Sequence, residues 1–376
     1  MKILHFSDLH LDAPFGSSLM PAKIAHGCRL RLRRTLLKIL DFAVEFEVDA
    51  VTVAGDLFEG DRITRDTIHF LSESFAQLAP IPIVIAPGNH DYFSPISAYA
   101  RHEWPENVTI FKAPQLQSIS LSETVRIWGA AHTAPNVTEN PLEGFELADE
   151  TGINLLLLHA TVIDHVGEHR AQYMPIRLQD LQSAGFDFAL LGHFHGAREI
   201  RDEVLRGLYP GSPQPLDFGD QGNHGVGLMT LEPESNRLTY KFIPTATQSF
   251  TTLEMGVSGF TDTHALAEAI ISQAPQKAAE ANFLKVKLTG EQPEALDLQQ
   301  GLLQEHLNQY YDHVIIENHL QFRGEELDYA DEQTVRGRFV KRLQTMLEEE
   351  QEDPELIRLA LKFGIKAFEE ENLVHL

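Results

Sequence analysis

The sequence predicts an α/β fold, and three observations carry that reading. Short apolar runs recur through the first 245 residues, stretches of helical period lie between them, and the runs end repeatedly in His, Asp or Asn. A strand over residues 2–6 runs into Ser7-Asp8-Leu9-His10. A helix over 29–46 follows, with Leu30, Leu36, Leu37, Leu40 and Val44 at its apolar positions, then a strand over 50–54 that ends in Gly55-Asp56. A helix over 66–78 leads to a strand over 82–86 and the turn Pro87-Gly88-Asn89-His90-Asp91. The most apolar run, 154–158, ends at His159; a helix over 178–184 precedes a strand over 188–191 that ends in Gly192-His193-Phe194-His195. Ligands of open α/β sheets bind beyond the carboxyl ends of the strands, so five such endings point to one pocket at one sheet edge. Runs at 125–130, 226–231 and 238–243 are less clearly interleaved with helices and predict a second, partly antiparallel sheet.

Past Pro244 the pattern changes. Strands over 250–255, 283–288 and 313–317 alternate with helices over 264–272 and 298–307, which predicts a small βαβαβ unit. Val335, Phe339, Leu343 and Met346 then mark a helix, Asp353-Pro354 a break, and Leu356, Leu359, Leu361 and Phe368 a second helix. The expected domains are therefore 1–245, an α/β capping unit over 246–325 and a helical, partner-binding segment over 326–376.

Thirty basic against fifty-five acidic residues give a formal charge of −25, which excludes a surface that holds polyanions by diffuse charge alone. Contact with nucleic acid has to be local or supplied by a partner. A single cysteine, Cys28, cannot form an internal disulfide and reads as a small buried hydrophobe in a reducing compartment. The N-terminus lacks the apolar run of a signal peptide, and no run is long enough to span a bilayer, so a soluble cytoplasmic protein without membrane association is expected.

Asp8, His10, Asp56, Asn89, His159, His193 and His195 form a set of oxygen and nitrogen donors without a thiolate, which suits Mn²⁺, Fe or Zn²⁺. Two such cations about 3.5–4 Å apart shield a phosphate, generate hydroxide at neutral pH and stabilise a leaving oxygen. In an extended strand end, residues i and i+2 face one side, so D-x-H and H-x-H each deliver two groups to one pocket, and a central Asp56 can bridge. Taken singly, the histidine pairs read as surface or core residues and Asn89 and Asp91 as turn residues; in order, each behind an apolar run, they read as one centre.

The blocks D-L-H, G-D-L-F-E, G-N-H-D, L-L-H and G-H-F-H resemble the signature of the calcineurin-like metallophosphoesterases. The resemblance implies an αββα sandwich and two divalent metal ions. Asp8, His10, Asp56 and His195 would hold one, and Asp56, Asn89, His159 and His193 the other. It also makes His90 a catalytic residue that faces the phosphate and stabilises the transition state or protonates the leaving oxygen, with Asp91 a turn cap or an orienter of His90. D-L-H-L-D-A-P-F near the start and the run from Tyr209 to Gly219 are similar to the SbcD-type DNA-repair exonucleases, in particular their YhaO-like branch. That closer resemblance covers residues 1–245 and implies Mn²⁺-dependent exonuclease and endonuclease action on DNA, an SbcC-type coiled-coil ABC ATPase docked on the C-terminal helices, and a homodimer. Arg29, Arg31, Arg33 and Arg34, with Lys38, are candidate contacts to DNA phosphates or else a solvated helix face; His165 and His169 are surface histidines or site-lining ones. A stand-alone phosphodiesterase or phosphatase acting on nucleotides or other small esters is the alternative, since this centre specifies reaction type better than substrate. A catalytically silent scaffold is the third reading, against which the full ligand set argues.

Overall fold

Side-chain alternation along three strands sets the layering. In β1 (Lys2–Phe6) Ile3 enters one core while Leu4 and Phe6 enter another. The computed structural model describes residues 1–15, 20–147, 152–163, 173–201, 203–220, 222–232, 237–274, 280–293, 295–320, 329–348 and 354–369. After β1 come α1 (Ala22–Glu45), β2 (Ala50–Val53), α2 (Arg65–Gln77), β3 (Ile83–Ile85), the one-turn helix α3 (Ala98–Arg101), β4 (Val108–Ile110), β5 (Gln117–Ser120) and β6 (Val125–Gly129). Next are β7 (Ile153–His159), β8 (Val162–Ile163), β9 (Ile176–Arg177), α4 (Leu178–Ala184), β10 (Phe188–Gly192), β11 (Arg198–Arg201), β12 (Leu205–Tyr209), β13 (Gly225–Glu232) and β14 (Arg237–Pro244). The order β15 (Gln248–Gly256), α5 (Thr263–Gln273), β16 (Ala281–Thr289), α6 (Gln300–Leu307), β17 (His313–Asn318) follows, then helices α7 (Val335–Glu348) and α8 (Pro354–Glu369).

Two six-stranded sheets have the orders β14-β13-β1-β2-β3-β4 and β11-β12-β10-β7-β6-β5. Strands β1 to β4 are parallel, as are β6, β7, β10 and β12. In β7, Leu155 and Leu157 share a core with Ile3, Ala50 and Val84 of the first sheet, whereas Leu156 and Leu158 pack with Leu181 and Ala184 of α4. Phe188 and Leu190 of β10 follow the inner set, and Ala189 and Leu191 the outer. Leu32, Leu36 and Ile39 of α1 and Leu71 and Phe75 of α2 cover the other face of the first sheet. The architecture is an αββα sandwich with three stacked cores. Strands apolar on both faces are what a doubly covered parallel sheet requires.

The expected grouping of the late strands needs correction. Residues 125–129 form β6 of the second sheet, parallel to β7, but β13 and β14 join the first, with β13 antiparallel to β1 from Lys2↔Thr230 to His5↔Gly227. Without β13, β1 would present a row of unpaired amides and carbonyls at an edge, and Val226, Met229 and Leu231 are buried by filling that place. Periodicity identifies such a strand but says nothing about which edge receives it. Helix α1 begins at Ala22, after Pro21, and not at residue 29: the polar Lys23 and His26 dilute the apolar pattern of its first two turns and hide them from a reading of periodicity.

The chain divides into two compact units, Met1–Thr252 with Pro275–Lys285 and Tyr311–Val314, and Leu253–Ala274 with Val286–Tyr310 and Ile315–Leu376. A three-stranded sheet has the order β15-β16-β17. Within the second unit α5 buries Leu266, Ala267 and Ile270, and its neighbour α6 buries Leu303 and Leu307. Val340 of α7 packs with Leu361 and Ile365 of α8, flanked by Phe339 and Leu343. Among the described residues no helix is long and apolar enough to cross a membrane.

Candidate metal centre

Asp8 and His10 follow β1, Asp56 follows β2, Asn89 and His90 follow β3, His159 is the last residue of β7, and His193 and His195 follow β10. The five strand ends therefore come from two sheets rather than one. Hydrogen bonds from main-chain amides lock them together: Asp8 N–H donates to Gly55 O at 3.0 Å, His10 N–H to Asp56 O at 2.9 Å, and His193 N–H to the Asp8 side-chain carboxylate at 3.0 Å. Close approach of the loops explains two glycines. A Cβ at Gly88 would lie 2.6 Å from Asp56 N and 2.9 Å from His159 Nδ1, and one at Gly192 would run into the Ala54 carbonyl oxygen.

The pairs Asp8/His10 and His193/His195 share the pocket for a different reason from the strand pleat. Asp8, His10, Asp56 and His193 have φ of 55°, 50°, 51° and 110°, so the backbone turns through the left-handed region at four of the candidate ligands. Each such residue costs about 1–3 kcal/mol, and the cross-loop hydrogen bonds hold it there.

Asp56 is central. Its Oδ2 lies 3.6 Å from His10 Nε2 and 3.3 Å from His159 Nε2, and its Oδ1 accepts from His90 N–H at 2.8 Å. One candidate ligand atom from each of Asp8, His10 and His195 lies within 4.8 Å of the others, and the same holds for Asp8, Asp56 and His159 and for His10, Asp56 and His90. Asn89 Oδ1 is 2.9 Å from His159 Nε2. His193 stands beside His159 with ring centroids 5.3 Å apart.

Three imidazoles are held by the same device. His159 Nδ1–H donates to Ala54 O at 2.8 Å, His10 Nδ1 is 2.7 Å from Glu59 Oε1, and His195 Nδ1 is 2.9 Å from Asp220 Oδ1. Each arrangement fixes the ring and leaves Nε2 for the cluster, which is how metal-ligating histidines are commonly oriented. His10 Nε2 is buried without a hydrogen-bond partner, an orphan that a cation would satisfy.

The charges are mutually dependent. Burial opposes ionisation of Asp56, yet His159, His10 and His90 hold its carboxyl well below the usual range. Burial likewise opposes protonation of His159 and His195, but Asp56 raises the first and Asp220 the second to about 9. His193, buried and beside His159, is pushed down to about 4. The buried carboxylates thus hold protons on His159 and His195, and a bound cation would take the place of those protons, because a ligating imidazole is neutral.

Sequence patterns missed the supporting residues. Glu59 lies inside the G-D-L-F-E block, and its second oxygen is 2.9 Å from His90 Nδ1, so one carboxylate holds both His10 and His90. Despite its burial, those two bonds bring Glu59 down to about 2, and the Glu59 bond raises His90. Glu59, not Asp91, therefore orients His90. Asp91 accepts from Gly88, Asp56 and Leu57 N–H and from Tyr99 O–H, a buried clamp on two loops, and burial raises its carboxyl to about 6. His132, also unforeseen, has its Nε2 2.7 Å from His159 O. The run from Tyr209 to Gly219 is supporting structure: Ser212 N–H donates to His195 O, and Gln214 spans from Thr35 to Thr247 and Gln248.

The four arginines proposed for phosphate contact already have intramolecular partners. Arg29 donates to Pro14 O, Arg31 and Arg34 approach Glu280 at 3.7 and 3.2 Å, and Arg33 pairs with Asp66 at 2.7 Å while donating to Thr67. Lys38 lies over the Phe42 ring. His165 and His169 lie outside the described residues.

Among solved structures the chain is similar to TT1561 of Thermus thermophilus, with 14% identity and a TM-score of 0.40 over 64% of this chain and 98% of that one. Among curated proteins it is 28% identical, over 249 residues, to the uncharacterized metallophosphoesterase YhaO of Bacillus subtilis (strain 168). That alignment covers 64% of this chain and 60% of the relative's length. The family model for calcineurin-like phosphoesterases matches residues 1–197, the segment that carries every strand end described above, and the chain belongs to that family.

Proposed function

We propose that this chain is a two-cation DNA phosphodiesterase, the nuclease partner of an SbcC-type coiled-coil ABC ATPase. The family binds two divalent metals and hydrolyses phosphoesters. The observation that carries the catalytic part is Asp56 Oδ2 set between His10 Nε2 and His159 Nε2, with the His10 nitrogen otherwise orphaned. In this reading Asp8, His10, Asp56 and His195 hold one ion, and Asp56, Asn89, His159 and His193 the other, with Mn²⁺ as the native metal. When bound, the pair supplies charge neutralisation at the phosphate and an activated water for in-line attack.

The protein's own residues do the rest. Glu59 holds His90 Nδ1 and favours its protonated form, so Nε2 carries a proton that passes to the leaving oxygen as its bond to phosphorus breaks. Buried Asp91 and the cross-loop hydrogen bonds hold the loops in register, so that the proton donor and the ligand set keep a fixed spacing.

The DNA assignment rests on the resemblance of D-L-H-L-D-A-P-F and of the run from Tyr209 to Gly219 to SbcD-type nucleases. Arg34, with a side chain 60% exposed, is the most accessible of the four arginines for a phosphate contact. A homodimer belongs to the same reading. A stand-alone phosphodiesterase or phosphatase for small esters is favoured by one observation, the formal charge of −25, which repels free DNA at long range.

The deciding experiment is Mn²⁺-dependent hydrolysis of labelled linear DNA compared with mononucleotides, cyclic dinucleotides and an aryl phosphodiester, with Asp56→Ala as control. DNA degradation that the variant loses supports the nuclease. Turnover of small esters with DNA untouched, and no DNA cleavage on adding the ATPase, moves the function to small phosphate esters.

A further inference from the structure

The second unit contains a group of metal-binding side chains outside the phosphoesterase centre. His264 and Glu268 lie four residues apart on α5, which places them on one face of the helix. His306 lies near the end of α6, which packs beside α5. Helix α5 buries Leu266, Ala267 and Ile270 and α6 buries Leu303 and Leu307, which anchors the two neighbouring helices and leaves His264, Glu268 and His306 on their polar flanks. His306 Nε2 is 3.1 Å from Glu268 Oε1, and the His264 and His306 rings stand edge to face with centroids 5.1 Å apart. One ligand atom from each of the three residues lies within 4.8 Å of the other two.

We propose that His264, Glu268 and His306 form a surface site for a transition-metal ion of the Zn²⁺, Ni²⁺ or Cu²⁺ type. Three points of chemistry support it. Two imidazoles and one carboxylate are a donor set that these ions prefer and that Mg²⁺ and Ca²⁺, which seek oxygen, do not. Three protein ligands leave further positions for water, in keeping with side chains that are exposed or half-buried. Edge-to-face imidazoles beside a carboxylate also give the first helix two ligands and the second helix one, so that a bound ion would cross-link α5 to α6. A purely structural contact between α5 and α6 requires only the His306–Glu268 bond; His264 is the additional feature.

The experiment compares zinc content at a fixed free Zn²⁺ concentration, after equilibrium dialysis, in the full-length protein, in His264→Gln, in His306→Gln and in Asp56→Ala. The expected result is loss of one zinc equivalent in each histidine variant, with hydrolysis of the aryl phosphodiester unchanged, while Asp56→Ala loses zinc from the phosphoesterase centre and keeps this equivalent. The unfolding midpoint of the wild type should rise on adding Zn²⁺ by more than that of His264→Gln. Equal zinc content in the wild type and both histidine variants overturns the proposal, and so does a lowered melting temperature in His306→Gln with no change in zinc content. Should His306→Gln fail to fold, His264→Gln decides the matter alone, since the His306–Glu268 bond between α5 and α6 stays in place.

Discussion

Glu59 ties two parts of the centre together. One carboxylate bonded to both His10 and His90 couples a candidate metal ligand to the candidate proton donor. Substituting it with glutamine should therefore lower metal affinity and turnover together, each by roughly 10–100-fold, because supporting partners of ligating histidines have effects of that size. His90→Ala separates the two quantities: two cations should still bind, while turnover of an unactivated diester falls by about 10²–10⁴-fold, the usual contribution of a positioned acid. Titrating Mn²⁺ into each variant and measuring hydrolysis rates checks both, and a His90→Ala enzyme of undiminished rate would remove that residue from the chemistry. The candidate ligands were legible in the sequence because they sit in short blocks behind apolar runs. The roles of Glu59 and Asp220 were not, since Glu59 ends the G-D-L-F-E block with nothing to mark it off and Asp220 is a lone loop carboxylate until the fold sets them 2.7 Å from His10 and 2.9 Å from His195.

At the scale of the strands, a buried polar contact joins the two sheets. His5 of β1 has Nδ1 3.0 Å from Thr52 Oγ1 of β2, and its Nε2–H donates to Leu191 O of β10 at 3.2 Å. Burial pushes this imidazole down to about 4. Below pH 6.5 the unfolded chain gains a proton on His5 that the folded chain refuses, so stability is full above 6.5 and falls as pH drops toward 4. The slope from this one group is at most about 1.4 kcal/mol per pH unit. His5→Gln, which carries no titrating proton, should have a flatter stability profile between pH 6.5 and 4 in urea unfolding, whatever its stability at pH 8. Parallel profiles for the two proteins would show that His5 is not an acid-sensitive joint. Strands β1, β2, β3, β7 and β10 were legible as apolar runs, and the helices between them as periodic stretches. The place of β13 and β14 was not, because antiparallel closure of the first sheet against β1 is a contact across more than 220 residues that local pattern cannot encode.

At the scale of the whole molecule, the tail lies far along the chain from the candidate ligands, which all precede residue 200. Helix α8 carries two apolar stripes. Ile357, Leu361 and Ile365 are buried, with Leu361 and Ile365 packed against Val340 of α7, whereas Leu356, Leu359 and Phe363 are 61%, 51% and 61% exposed. Phe339 and Leu343 belong to the packing of the pair, and Phe368 contacts Phe339 with ring centroids 5.7 Å apart while remaining 44% exposed. A helix pair needs one apolar stripe per helix, so the outer stripe of α8 is surplus to its own folding. The proposed ATPase gives that stripe a use and also answers the charge problem, since a basic partner would hold DNA where a chain of net charge −25 repels it. Deleting residues 330–376 should abolish co-purification with the ATPase and leave basal hydrolysis of an aryl phosphodiester intact. Leu359→Glu with Phe363→Glu makes the sharper test, because it changes the outer stripe and spares Val340, Leu361 and Ile365. The double variant should keep its helicity and basal rate, lose the partner, and lose the stimulation of DNA cleavage that the partner provides. Retained binding by a folded double variant would leave the outer stripe without this role and return the charge of the chain to being an argument for a small substrate.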